Sequence, residues 1–282
     1  MGLGGIITAM VTPFAADGLV DHDAAAGLVR HLVANGSDGL VIAGSTGEGS
    51  TLSDDEKLRL FDLAVTEGSD ATIVANTGSN DTAHSVHLTE KATEVGVDAV
   101  LVVTPYYVKP NRRGIIAHFE AVAAATDLPV IVYNIPSRTV TDIPNDLLAE
   151  LAQIPNVSAV KQARTDDIAL VDGLDLLAGN DDKLAEVLDM GGTGGILVAS
   201  HLFGHEMREM IDEPDRRHEI DERLRDVYAA LAVTTNPIPI KAALNMAGHE
   251  VGGLRLPLVE TSEEESAEIR AVLERHGLLS AV

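Results

Sequence analysis

The six lysines of this 282-residue chain include one, Lys161, that closes a short apolar run (156–160) instead of lying in a charged stretch. Burial at the end of a strand disfavours the ammonium and leaves more of the free amine, the form that attacks a carbonyl carbon. This placement predicts a nucleophilic lysine that forms a Schiff base with a carbonyl substrate. The alternative is a lysine that ends a strand and extends its charged head into water, and the run alone does not decide between them.

Side chains that transfer protons or bind carboxylates follow other apolar runs. Three of the four tyrosines lie in two segments, Thr104–Tyr107 and Tyr133–Arg138. A tyrosine hydroxyl acts as a general acid or base when a neighbouring amine or hydroxyl shares its proton, although a half-buried aromatic with a satisfied hydroxyl is the more common case. Arg138 either offers two parallel N–H donors to a carboxylate or is a solvated loop arginine.

Two glycine-rich segments are candidates for binding an anion. The turn Gly44–Gly49 contains the hydroxyls of Ser45 and Thr46 and precedes a predicted helix. Its backbone amides and hydroxyls suit a carboxylate or phosphate, but glycine with hydroxyls is equally common in ordinary tight turns. The second segment, 191–195, indicates either a phosphate-binding loop or close packing of backbone at the start of a strand.

Histidine pairs give weaker signals. His84 and His87 are three residues apart on a predicted helix, with no evident third ligand. His201 and His205 are four residues apart but lack the glutamate of a zinc protease motif. The sequence therefore predicts no metal site.

The charge balance limits the class of partner. The chain has 44 acidic and 20 basic residues, for a formal net charge of −24. Phosphates would be repelled over the whole surface, so a nucleic-acid partner is excluded and an anionic membrane is disfavoured. Acidic residues recur along the whole chain, which predicts a surface adapted to high salt, where the Debye length falls to roughly 3 Å at 1 M.

Cysteine content and hydropathy set further limits. Zero cysteines exclude disulfides, thiolate metal sites and a cysteine nucleophile. No apolar run reaches the roughly 18 residues that a membrane span requires, and the amino terminus lacks the pattern of an export signal. We therefore expect a globular cytoplasmic protein.

Short apolar runs alternate with helical patterns from the start of the chain to about residue 200. This rhythm predicts an α/β fold, a (β/α)8 TIM barrel with eight crossover helices, over residues 1–204. A C-terminal helical region that includes the last barrel helix is predicted over residues 205–282. The predicted strands are 5–11, 39–43, 72–75, 99–103, 129–133, 157–161, 174–178 and 195–198. Since active sites of such barrels form at the carboxyl ends of the strands, Lys161, both tyrosine segments and the Gly44–Gly49 turn should meet on one rim.

Five segments, in order and spacing, resemble the dihydrodipicolinate synthase and N-acetylneuraminate lyase family of class I, imine-forming barrel aldolases. They are Gly44–Glu48, Thr104–Tyr107, Tyr133–Thr139, Val160–Ala163 and Asn236–Lys241. The resemblance covers nearly the whole chain.

The resemblance implies roles for individual residues. Lys161 would form an imine with pyruvate, with no other cofactor, while Tyr133 transfers protons. Ser45 or Thr46 would link Tyr133 to Tyr107 of an adjacent subunit in a proton relay. The family's usual assembly implies a homotetramer, a dimer of tight dimers.

Substrate binding follows from the same resemblance. Thr46 and its neighbour Gly47 would bind the pyruvate carboxylate, and the Ile196 backbone would approach the pyruvyl group. Arg138 would hold the carboxylate of aspartate semialdehyde, as in the synthase subgroup that serves lysine biosynthesis through diaminopimelate. The alternatives are a 2-keto-3-deoxygluconate-type aldolase and a non-catalytic keto-acid sensor.

The chain departs from the family pattern at a few positions. Ser45 replaces the usual threonine and Gln162 the usual glutamate, and neither change removes a catalytic atom. At the lysine-feedback site the chain has Asp54, Lys57 and His84 where sensitive members have other residues. This predicts weak or absent inhibition by lysine.

Overall fold

Eight parallel strands close into a barrel in a computed structural model that describes residues 3–279. Each strand pairs with the next along the chain, and the last pairs with the first. The strands are β1 (Gly5–Ala9), β2 (Gly39–Ile42), β3 (Thr72–Asn76), β4 (Ala99–Val103), β5 (Val130–Asn134), β6 (Val157–Gln162), β7 (Asp175–Ala178) and β8 (Gly194–Leu197). The predicted TIM barrel is confirmed, and the strand ends differ from prediction by at most two residues.

Eleven α-helices surround the barrel within the described residues. They are α1 (His22–Ala34), α2 (Asp54–Glu67), α3 (Thr82–Val95), α4 (Arg112–Ala123), α5 (Pro136–Thr139), α6 (Asn145–Leu151), α7 (Leu184–Asp189), α8 (Ser200–Asp212), α9 (Arg217–Ala230), α10 (Ile238–Met246) and α11 (Glu263–Arg275). Ser53 caps α2 in a capping box, as its sequence predicts. The predicted boundary at residue 204 lies inside α8, next to Phe203, whose backbone angles are not helical.

The expectation of eight crossover helices is wrong at one connection. Residues 163–174, between β6 and β7, form bends and an isolated bridge from Val171 to Leu174 but no helix. Arg164 lies within 4 Å of carboxylates on Asp142, Asp166 and Asp167. These ion pairs and the turn at residues 172–173 hold the segment in an irregular conformation, in which Ile168, Val171 and Leu174 are buried without a helix.

Side chains alternate between the two faces of each strand, and the buried apolar residues therefore form two cores, one outside and one inside the barrel. Side chains that point outward pack against the helices, whereas those that point inward fill the barrel. On β5, Ile131 and Tyr133 belong to the inner set, and on β6 Ala159 does so. Lys161 follows Ala159 by two residues and is therefore on the inner face, at the carboxyl end of its strand.

The register between β5 and β6 shifts once. Val130 pairs with Val157, but Ile131 pairs with Ala159, so Ser158 is an extra residue in a bulge. Downstream of the bulge, Tyr133 lies directly opposite Lys161.

The glycine cluster at 191–195 allows two backbones to approach closely. Gly194 has φ of 153°, and a Cβ added there would lie 2.0 Å from the Gly5 carbonyl oxygen on β1. Close backbone packing where β8 meets β1 therefore accounts for this cluster.

The C-terminal region is tied to the barrel rim by Arg255. Its guanidinium donates to both carboxylate oxygens of Glu56, at 2.6 and 3.0 Å, and to the Thr51 carbonyl at 2.9 Å.

No helix in the described part of the chain is long and apolar enough to cross a membrane.

We predict that the ion pair between Glu56 and Arg255 contributes to acid stability. The hydrogen bond from Arg255 lowers the pKa of Glu56 from its ordinary value of 4.5 to about 2. Because the pKa is lowered in the folded state, this contribution is complete above about pH 4.5 and is lost as the pH falls through about 2. Glu56→Gln keeps a side chain that suits the capping box but removes the charge. Urea unfolding should show a loss of about 1–3 kcal/mol at pH 7 that shrinks toward pH 2, and a loss that does not depend on pH would contradict this account.

Candidate active site

Lys161 and Tyr133 form the centre of the candidate active site. They are paired residues on neighbouring strands, and Lys161 Nζ lies 4.2 Å from the centre of the Tyr133 ring. Lys161 is 6% exposed and makes no salt bridge with any described residue. An amine held over an aromatic ring without a carboxylate partner is available for addition to a carbonyl group.

A cavity of about 580 Å³ opens above this pair at the carboxyl ends of the strands. Its wall includes hydroxyls, two guanidinium groups and carboxylates, from several different connections and from α9. Residues that line it include Ser45, Thr46, Tyr133, Arg138, Lys161, Asp181, Arg225, Tyr228 and Asn236. The structure thus brings together five of the eight predicted site residues, namely Ser45, Thr46, Tyr133, Arg138 and Lys161.

Asn236 connects two of the predicted substrate-binding residues. Its side-chain amide donates to the Thr46 hydroxyl at 2.9 Å, and its backbone carbonyl accepts from Arg138 Nη2 at 3.0 Å. Thr46 is buried, whereas Arg138 is exposed. A buried hydroxyl and an exposed guanidinium are thereby fixed at two depths of one cavity.

The turn that carries Ser45 and Thr46 rests on a buried ion pair. Glu48, within this turn, lies 2.7 Å from Lys241 Nζ, and both side chains are at most 2% exposed. Lys241 also donates to the Gly253 carbonyl at 2.6 Å, and Glu48 accepts from the Arg255 backbone amide at 2.9 Å. Burial lowers the pKa of Lys241, while its contact with Glu48 acts in the opposite direction.

Asp181 supplies a partly buried carboxylate three residues after the end of β7. One of its oxygens accepts from the backbone amides of Val198 and Ala199, at 2.9 and 3.0 Å. Burial raises the pKa of Asp181, and these two hydrogen bonds oppose the shift. The carboxylate thus connects the ends of β7 and β8 within the wall of the cavity.

Three predicted site residues do not line this cavity. Gly47 accepts a hydrogen bond from the Thr12 hydroxyl at 2.6 Å through its carbonyl. Ile196 is fully buried in the inner core. Tyr107 is 85% exposed and has a left-handed backbone with φ of 70°, which is uncommon for a residue other than glycine.

Sequence reasoning did not include four residues of the wall among the site residues. Asp181 lies three residues after the predicted strand 174–178, so the rule that placed Lys161 also applies to it. Asn236 lies in a segment that resembles the family, but nothing in the sequence assigned it a contact. Arg225 and Tyr228 lie on α9, where apolar periodicity indicates packing, and the Tyr228 hydroxyl is buried with no hydrogen-bond partner among the described residues. The sequence gives no signal that α9 covers the site.

One histidine of each predicted pair contacts groups of the protein itself. His84 Nε2 lies 2.9 Å from an Asp54 carboxylate oxygen. His84 and Lys57 line a second cavity, which shares Ser45 and Arg138 with the first. His201 is buried between the Val11 amide and the Val198 carbonyl, and burial lowers its pKa to about 4. Between residues 3 and 279 there is no group of three or more side chains arranged to hold a metal ion.

Comparison with known proteins agrees with this geometry. The model of the dihydrodipicolinate synthetase family matches residues 2–276. A 4-hydroxy-tetrahydrodipicolinate synthase from Symbiobacterium thermophilum is 44% identical over 289 residues, which cover 98% of this chain and 99% of the relative.

Solved structures of dihydrodipicolinate synthases are also similar to this chain. Dihydrodipicolinate synthase from Aquifex aeolicus has a TM-score of 0.95 and 37% identity, over 99% of this chain and all of the other. The enzyme from Cyanidioschyzon merolae, solved with lysine bound, has a TM-score of 0.94 and 38% identity, over 98% of this chain and 99% of the other. The resemblance seen in the sequence is confirmed, and the chain belongs to the dihydrodipicolinate synthetase family.

Proposed function

We propose that the chain condenses pyruvate with L-aspartate 4-semialdehyde through a Schiff base on Lys161 and so forms 4-hydroxy-tetrahydrodipicolinate. It is a lyase of the pyruvate-dependent class I aldolase type, and its reaction belongs to lysine biosynthesis through diaminopimelate. One observation carries the proposal: a single cavity holds the Lys161 amine beside Tyr133, with Thr46 and Arg138 in the same wall. The shared name of the relatives supports this reaction over cleavage of 2-keto-3-deoxygluconate.

The first half of the reaction activates pyruvate. The Lys161 amine adds to the keto carbon, and the carbonyl oxygen leaves as water with one proton from the amine and one from Tyr133, which gives a protonated imine. Thr46 binds the pyruvate carboxylate. The Tyr133 oxygen then takes a methyl proton from the imine and gives an enamine, so the covalent bond to Lys161 supplies the activation and no further cofactor is required.

The second half forms the carbon–carbon bond. The enamine carbon attacks the aldehyde carbon while Arg138 holds the carboxylate of this second substrate. The aldehyde oxygen takes up a proton and becomes the hydroxyl of the product. The free amino group of the semialdehyde then attacks the imine carbon, which closes the ring and releases Lys161 as the amine.

Borohydride trapping tests the site of imine formation. The enzyme is incubated with pyruvate and reduced, and the mass increase is then mapped along the chain. We expect the adduct on Lys161. Lys241 is a matched control because it is also buried, but Glu48 and the Gly253 carbonyl bind its ammonium. An adduct on Lys241 or on any lysine other than Lys161 would refute the mechanism.

A substrate comparison separates the proposal from its nearest rival. A 2-keto-3-deoxygluconate-type aldolase shares the imine but takes an aldehyde with hydroxyls in place of the carboxylate and amine. Faster cleavage of 2-keto-3-deoxygluconate than consumption of aspartate semialdehyde with pyruvate would overturn the assignment. A keto-acid sensor would form no product with either aldehyde.

The proposed assembly is a homotetramer of tight dimers acting in the cytoplasm. Tyr107 does not line its own chain's cavity and is largely exposed, which supports its entry into the relay with Tyr133 of a neighbouring subunit. Ser45 provides the connecting hydroxyl. Sedimentation velocity at the working enzyme concentration tests the assembly.

We predict weak or absent feedback inhibition by lysine. The cavity that includes Lys57 and His84 already contains one ammonium, and the carboxylate of Asp54 is engaged by His84. A second ammonium would be repelled by Lys57 at close range. Half-inhibition of the purified enzyme by submillimolar lysine would contradict this prediction.

Salt should stabilise the chain. With a net charge of −24, self-repulsion destabilises the compact state at low ionic strength and is screened as salt is added. We expect both activity and Tm to rise from low salt toward molar KCl. A Tm that is highest without added salt would rule out adaptation to a saline environment.

A further inference from the structure

The direction of one hydrogen bond determines what the buried Thr46 hydroxyl offers to a ligand. The Asn236 side-chain nitrogen carries two hydrogens and can only donate, so the Thr46 oxygen accepts in their 2.9 Å contact. The Thr46 hydroxyl donates to no acceptor among residues 3–279. Its proton is therefore free for a group in the cavity that both residues line.

The partner best suited to this proton is an anionic oxygen. A hydroxyl that already accepts from an amide is a better donor, because hydrogen bonds in a chain polarise one another. Donation to a charged acceptor is also worth more than donation to a neutral one. The site thus favours an ionised carboxylate over a neutral ester or amide in the same position.

Asn236 contacts Arg138, the residue proposed to bind the second substrate, through its main chain instead of its side chain. Its carbonyl oxygen accepts from Arg138 Nη2 at 3.0 Å. A substitution at position 236 therefore removes the contact with Thr46 but retains the carbonyl that holds Arg138, so the two substrates can be tested separately.

We infer that Asn236 is a positioning residue that makes the Thr46 hydroxyl a dedicated donor to the carboxylate of the 2-oxo acid. This rests on the proposed function and adds to it the group that sets the preference for an ionised 2-oxo acid. Asn236 acts through Thr46 and does not itself bind the reacting atoms.

A double-mutant cycle tests the inference. Pyruvate alone is titrated with borohydride trapping at Lys161 in the wild type, Asn236→Ala, Thr46→Val and the double variant. Each single variant should raise the pyruvate concentration for half-maximal labelling by roughly tenfold, in line with loss of a hydrogen bond to a charged group. The double variant should be no worse than Thr46→Val, because Asn236 has no effect once the hydroxyl is absent.

Two further readouts distinguish positioning from a purely structural role. In steady-state assays the KM for aspartate semialdehyde should stay within about twofold in Asn236→Ala, because the bond to Arg138 uses the main chain. The preference for pyruvate over methyl pyruvate, which is neutral, should fall by roughly tenfold.

Asn245→Ala is the matched control. Asn245 lies on α10, outside the described lining of the cavity, and its side chain bonds only the backbone, through Gly252 and Val251. This variant should lower Tm and leave the pyruvate titration unchanged.

The outcomes separate this inference from the proposed function. Independent, additive losses in the cycle would overturn the inference, as would a loss that is equal for pyruvate and methyl pyruvate. Normal labelling of Asn236→Ala at the wild-type pyruvate concentration would also overturn it. Absence of labelling in the wild type would instead overturn the proposed function itself.

Discussion

Replacing Lys161 by arginine lowers kcat by an expected factor on the order of 10⁴ or more, the scale seen when a covalent nucleophile is removed. Arginine keeps the positive charge and much of the side-chain length, but its guanidinium is not deprotonated in proteins and cannot form an imine with pyruvate. The measurement is steady-state turnover of pyruvate with aspartate semialdehyde, together with borohydride trapping.

The control for this prediction separates loss of chemistry from loss of fold. Lys161→Arg should keep the wild-type circular dichroism spectrum and should bind pyruvate without trapping it. Lys183→Arg changes a partly exposed lysine on the same barrel that pairs with Glu186 at 2.7 Å, and it should retain full activity. Turnover by Lys161→Arg within tenfold of the wild type would mean that Lys161 is not the nucleophile.

Replacing Lys241 by methionine should destabilise the fold by about 3–5 kcal/mol, because Glu48 would remain buried without a partner. Both side chains of this pair are at most 2% exposed, and Lys241 Nζ also lies 4.2 Å from the centre of the Phe14 ring. Urea unfolding of the wild type and the variant, in the same salt, measures the difference.

Two companion variants show whether burial of the ion pair causes the loss of stability. Glu48→Gln combined with Lys241→Met removes both charges and should recover part of the loss. Lys91→Met removes one partner of an exposed pair with Glu94 and should cost less than about 1 kcal/mol. Equal losses for the buried and the exposed pair would contradict the argument. Since Glu48 lies in the turn that carries Thr46, we also expect a higher KM for pyruvate in Lys241→Met.

The barrel and the centre of its site were predictable because both depend on local patterns. Apolar runs of strand length marked all eight strands, and the rule that active sites form at the carboxyl ends placed Lys161, Tyr133 and Thr46 together. The rule needs only the order of the strands and no knowledge of packing angles. The family resemblance then supplied the substrates.

The features that could not be predicted from the sequence depend on contacts between distant parts of the chain. Arg255 binds Glu56 and Asn236 binds Thr46 across separations of about 200 residues, and no periodicity in the sequence reports such pairs. The connection after β6 was wrongly expected to be helical, because the arrangement of carboxylates around Arg164 appears only in three dimensions. That Tyr107 acts in the site of a second chain stays a prediction, because such a contact lies outside a single chain.

The extra residue Ser158 gives β6 one residue more than its pairing with β5 requires. Deleting Ser158 should remove the bulge and keep Tyr133 opposite Lys161, because Val157 and Ala159 already lie on opposite faces of the strand. Inserting one residue between Ala159 and Lys161 would instead move the lysine to the face that packs against the helices. The nucleophile would be lost although its codon is intact, so insertions in this part of the strand should be selected against as strongly as replacement of the lysine.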